Sequence, residues 1–171
     1  MQKNHHTTIT YAATNNTIIK NNRISQTNAV IMRTRLKDLE GINPCNPPKD
    51  TTQEREYQMF CNIGKFLCAI GFTPALQGFT YLRQAIFFCI LNHESIGTKR
   101  RFYEMLELVN AQLFTRIERS IRYSIAAASA SGKILKINEF LGSKAVDLAV
   151  PPNNSEFIAI SVEAFKTLMF K

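Results

Sequence analysis

Apolar residues recur at spacings of three and four through most of the chain after Glu54, the mark of helices that bury one stripe. Tyr57, Phe60, Cys61, Gly64, Leu67 and Cys68 keep that spacing and predict an amphipathic helix over 54–70 that stops at Gly71. A turn follows at Thr73-Pro74, Gly78 interrupts it, and FTYLRQAIFFCILNH (79–93) predicts a second, largely buried helix. Residues 92–97 read as a loop. A third helix is expected over 99–109, with Phe102, Leu106 and Val109 inward, and a fourth over 113–131, ended by Gly132. Only Asn110 to Gln112 separate these two, so they form a helix-turn-helix pair. ILKINEFLG (134–142) predicts a short fifth helix closed by Gly142. After Pro151-Pro152, Asn154 or Ser155 is expected to cap a last helix with Phe157, Ile158, Ser161, Phe165 and Leu168 inward and Glu156 in its first turn. The expected fold is all-α, a bundle of about six helices.

Residues 1–53 differ in kind. Asn and Thr dominate, no acid appears before Asp38, and Pro44, Pro47 and Pro48 mark a linker. TIIK, Asn21-Asn22 and RIS resemble a small hairpin, and a disordered basic tail is the alternative. AVIMRTRLKDLEG (29–41) fits either a strand or one short helix. The expected division is a polar, basic N-terminal segment and linker over 1–53 and a helical domain over 54–171.

The fourth helix splits cleanly into two faces. At 100° per residue Phe114, Ile117, Ile121, Ile125 and Ala128 share one sector, while Thr115, Arg116, Arg119, Arg122 and Tyr123 lie opposite. A guanidinium pairs in a bidentate way with guanine edges or clamps phosphates, so an arginine row on the second helix of such a pair suits major-groove reading. Arg116, Arg119, Arg122 and Tyr123 are the candidate base contacts. Lys99, Arg100 and Arg101 sit at a helix N-terminus, where cations oppose the macrodipole, and with Thr115 they are the candidate phosphate contacts. The competing reading is a solvated face in which Glu118 pairs with Arg122 at i, i+4.

Charge supports a polyanionic partner. The net charge is +8 and the pI about 9.5. Lys and Arg outnumber acids seven to three in 1–53 and six to three in 98–123, but balance them three to three in 54–97. Positive charge thus concentrates on the tail and the helix pair.

The cysteines at 45, 61, 68 and 89 form no C-x-x-C pair and have no histidine at ligand spacing, so no metal is expected; they read as buried, reduced thiols of a cytoplasmic, nucleoid-associated protein. His5, His6 and His93 lack the partners of a catalytic base, and Ser131-Gly132-Lys133 lacks the glycine run of a phosphate loop. No enzyme and no cofactor are expected. AIFFCIL (85–91) is bounded by Arg83 and His93 and is too short to span a membrane, and no signal peptide opens the chain.

Three stretches carry a family resemblance: IGFTPALQGFTYLRQAI (70–86), RIERSIRYSI (116–125) and NSEFIA (154–159). In this order and spacing they resemble the C-terminal effector domain of the sporulation master response regulators of Firmicutes. The resemblance implies an all-helical domain that binds duplex DNA at promoter boxes similar to TGTCGAA, usually as a tandem dimer. On that pattern Arg116, Glu118, Arg119 and Arg122 take the positions of the family's R-x-E-R-x-x-R recognition helix. Tyr123, Ser124, Ile125 and Ala126 stand where the family usually has His-Ala-Ile-Glu, and the turn LVNAQLF also differs, so base preference is expected to differ. The family's receiver domain has no counterpart in residues 1–53, and DNA binding is expected to need no phosphodonor.

Two functions of different class follow. One is a sequence-specific transcription factor that acts on double-stranded DNA as a homodimer on tandem boxes and communicates with RNA polymerase. The other is an interaction protein that pairs with a full-length regulator or with RNA polymerase without reading DNA itself.

Overall fold

In a computed structural model the described residues are 27, 30–39, 41–42, 51–92 and 99–169, apart from the side chains of Thr51, Lys99, Arg100 and Arg101. They form an all-α bundle: α1 (30–39), α2 (Thr51–Ala69), α3 (Gln77–Leu91), α4 (Lys99–Asn110), α5 (Phe114–Ala130), a 3-10 turn (Lys133–Leu135), α6 (Lys136–Leu141) and α7 (Asn154–Met169). The stretch 29–41, open between strand and helix in the sequence, is helical over 30–39. The hairpin expected around Asn21-Asn22 and the thiol of Cys45 lie outside the described residues.

α3 is the axis of the bundle. Phe79, Tyr81, Leu82, Ala85, Ile86, Phe87, Phe88 and Cys89 are all buried, so apolar side chains leave it in every direction. A helix buried all round needs neighbours on every side, and α3 packs against α2, α4, α5 and α7. Aromatic edges hold the layers together. Phe60 of α2 meets Phe87 of α3 at 5.2 Å, and Phe66 of α2 meets Phe165 of α7 at 5.9 Å. Met32, Leu36 and Leu39 of α1 join the same core, and Arg35 of α1 approaches Glu56 of α2 at 3.5 Å.

The end of α2 shows how local sequence makes a turn. Gly71 is left-handed at φ 94°, the Phe72 amide donates to the Leu67 carbonyl at 3.0 Å, and the Gly71 amide donates to Cys68 at 3.1 Å. These two bonds are a Schellman closure, which needs a residue that accepts positive φ. A β-carbon at Gly71 would also lie 2.8 Å from Cβ of Lys133, so the same glycine lets the α5–α6 connection pass close by.

Four expectations need correction. Cys68 is exposed and Cys61 half-buried, and of the described cysteines only Cys89 is enclosed, because α2 turns its 61 and 68 positions toward the flank of the core. Leu168 is 39% exposed, since the last turn of α7 overhangs its neighbours. Phe114, assigned to the core face of α5, is 42% exposed and meets only the edge of Tyr103 at 4.7 Å. The cap of α7 is Asn153, not Asn154 or Ser155: its Oδ1 accepts from the amides of Ser155 and Glu156, both at 3.1 Å, while Glu156 Oε2 accepts from the Asn153 amide at 3.0 Å. Asn153 and Glu156 form a capping box, each side chain accepting from the other's amide, and the Ser155 amide is satisfied in addition.

Candidate nucleic-acid interface

α4, a short turn and α5 form the expected helix-turn-helix, and three polar contacts shape the turn. The Asn110 amide Nδ2 donates to Gln84 Oε1 at 2.8 Å and to the Leu106 carbonyl at 2.9 Å, which pins the end of α4 to the buried face of α3. Ala111 then reverses the chain at φ 50°, a left-handed conformation with a steric cost for any residue bearing a β-carbon. Glu107 accepts the Phe114 amide at 2.6 Å and so stabilises the start of α5 from the preceding helix.

The inner face of α5 is Ile117, Ile121, Ser124, Ile125 and Ala128, all buried. At its closest approach to α3, Gly78 lies directly against the Ser120 carbonyl and the Ser124 hydroxyl, with no room for a β-carbon. Two helices with ordinary side chains at the contact keep axes 8–10 Å apart in general; a glycine removes that spacer. α5 therefore sits deep against the central helix along its middle.

A second anchor holds it from the other side. Asn154, 7% exposed at the start of α7, donates through Nδ2 to the Tyr103 hydroxyl at 3.1 Å and to the Glu118 carbonyl at 3.0 Å. One amide thereby joins α7, α4 and α5. Burial raises the pKa of the Tyr103 phenol, against the opposing effect of its Asn154 hydrogen bond, so the neutral phenol is favoured at this joint.

The outer face of α5 carries Thr115, Arg116, Arg119, Arg122 and Tyr123, all exposed. Among the described residues neither Arg116 nor Arg119 has an ion-pair partner. Arg122, 70% exposed along its side chain, pairs with Glu118 one turn back. Such an exposed i, i+4 pair is worth about 0.3–0.5 kcal/mol, too little to withhold the guanidinium from a stronger anion. The backbone of 99–101 forms the first turn of α4, while the side chains of Lys99, Arg100 and Arg101 lie outside the described residues. Tyr103, Phe114, Ile125, Pro151 and Pro152 line a groove of about 770 Å³ on the flank of α5, with Glu118 and Arg122 at its rim.

The supporting residues were harder to find in the sequence than the exposed ones. Gly78 and Gln84 on α3, Glu107 on α4 and Asn154 on α7 come from three elements and converge on α5 or its turn. Gly78 and Gln84 fall inside the IGFTPALQGFTYLRQAI stretch and Asn154 inside NSEFIA, but nothing in either stretch shows which residues they meet.

Among the described residues no helix is long and apolar enough to cross a membrane, and no group of three His, Cys, Asp or Glu side chains is placed to hold a metal ion. Residues 63–165, which include the end of α2, all of α3 to α6 and most of α7, match the family described as "Sporulation initiation factor Spo0A C terminal". The chain belongs to this family, whose members are DNA-binding effector domains of sporulation regulators and not enzymes.

Proposed function

We propose that α5 lies in the major groove of double-stranded DNA and reads base edges with Arg116, Arg119, Arg122 and Tyr123. Thr115 at the start of α5 and Lys99, Arg100 and Arg101 at the start of α4 hold the flanking phosphates. The observation that carries this reading is the unpaired state of Arg116 and Arg119 on the exposed face of a helix whose other face is locked into the core. On a helix held rigid by its inner face, the planar guanidiniums of Arg116 and Arg119 can each form two hydrogen bonds with less entropy lost per bond than a lysine, and Arg122 is held by Glu118 only weakly. The preferred sites are promoter boxes similar to TGTCGAA, engaged by two copies on tandem boxes, with RNA polymerase as the downstream partner.

Fluorescence anisotropy on a TGTCGAA-containing duplex and a scrambled duplex, over a series of salt concentrations, tests the proposal. The expected result is preference for the box and a steep fall of log affinity with log salt, in proportion to the phosphates neutralised. Equal affinity for both duplexes sinks the base-reading assignment. Loss of salt dependence, with binding to a full-length regulator or to polymerase instead, selects the interaction-protein reading.

A further inference from the structure

Leu113 is the most conspicuous unexplained side chain of the interface. It occupies the N-cap of α5, and the amides of Arg116 and Ile117 donate to its carbonyl at 3.0 and 3.1 Å, so it is in register with the first turn of the helix. Two properties make leucine a poor residue there. Its side chain makes no cap hydrogen bond, where Ser, Thr, Asp or Asn would satisfy an amide. It is also 75% exposed, the highest value for a leucine among the described residues. Glu107 compensates at the Phe114 amide alone. Neither capping nor core packing explains the leucine.

Its position supplies a reason. Leu113 is the exposed residue at the leading end of the helix; on the 100° wheel it stands at the border of the two faces, 60° from Arg116 and 40° from Ile117. The leading residues of the second helix of such a pair reach the base edges in the major groove. Thymine is the one base that presents a methyl group there, and apolar side chains recognise it by contact. We propose that Leu113 is a specificity-determining residue that packs against a thymine 5-methyl group beside the base pairs read by the arginines. The proposal rests on the placement of α5 in the major groove.

The test begins with selection of a preferred duplex from a randomised pool by the full chain. Each thymine of that duplex is then replaced in turn by deoxyuridine, which removes only the methyl group. The wild type is expected to lose about three- to fivefold in affinity at one thymine, the effect of leaving one methyl unburied. Leu113→Ala should bind the thymine and deoxyuridine versions of that duplex equally. Leu113→Ser should do the same while melting no lower than the wild type, because serine restores the cap; this separates recognition from folding. Sensitivity to deoxyuridine that persists unchanged in both variants overturns the proposal, as does a wild type indifferent to every replacement. If no duplex is enriched at all, the major-groove placement itself falls, and this contact with it; enrichment without methyl sensitivity removes only Leu113.

Discussion

Gly78 of α3 and Ser120 of α5 touch backbone to backbone: a β-carbon added at Gly78 would fall inside the van der Waals envelope of the Ser120 carbonyl oxygen. The neighbour is main chain, not the end of a flexible side chain, so α5 itself would have to move. Gly78→Ala gains about 1 kcal/mol in helix propensity. That gain is outweighed by overpacking, which costs about 1–3 kcal/mol or more. Chemical denaturation should show net destabilisation, and DNA affinity should fall even in conditions where the variant remains folded. A Gly78→Ala protein as stable as the wild type would mean that the two helices are less tightly apposed.

Asn154→Ala should weaken the joint of α7, α4 and α5. It removes the donor to the Tyr103 hydroxyl and a second donor to the Glu118 carbonyl, which costs about 1–3 kcal/mol where such groups are buried. Denaturant titration of the single variant and of its combination with Tyr103→Phe measures the coupling. Purely additive losses would argue against the Asn154–Tyr103 bond.

Ala111→Gly should be stabilising. The φ of 50° at Ala111 is costly for alanine and free for glycine, and the relief is up to about 1 kcal/mol after the extra entropy of a glycine in the unfolded chain. A rise in the melting midpoint with DNA preference unchanged is expected; a fall would show that the turn is held open by other contacts.

Arg119→Ala should lower specific affinity by about 1–3 kcal/mol and relax preference at one base pair, as loss of a bidentate base contact does. Arg101→Ala should weaken binding to all duplexes alike and reduce the salt slope by about one, as loss of a phosphate contact does. Titrating both variants against matched and scrambled duplexes distinguishes these signatures. Identical patterns for the two would erase the division between base and phosphate contacts.

We propose that residues 54–171 fold as a unit, because α2 to α7 supply one another's buried faces. A chain of residues 54–171 should melt cooperatively, though at lower temperature than the full chain, since Met32, Leu36 and Leu39 also enter the core. Thermal melting followed by circular dichroism checks this. A non-cooperative melt of the shorter chain would place α1 within the domain.

The existence and order of the helices from α2 to α7 were written in the sequence, because a buried stripe imposes a period of three and four on residues that are neighbours in the chain. The two faces of α5 were readable for the same reason, as were Gly71, Gly132 and Gly142 at helix ends. Periodicity gives the direction of a side chain but not what lies opposite it. Phe114 and Leu168 share an apolar sector with buried residues, yet they lie at the edge of the bundle, where neighbours cover them only in part. The cap of α7 shows the limit most clearly. Asn153, Asn154 and Ser155 are all suited to capping, and only the tertiary structure selects Asn153, because Asn154 is drawn to Tyr103 and the Glu118 carbonyl, partners 51 and 36 residues away. Local hydrogen-bonding preference could nominate these residues; contacts between distant parts of the chain decided which one caps the helix and which one holds the arginine face in place.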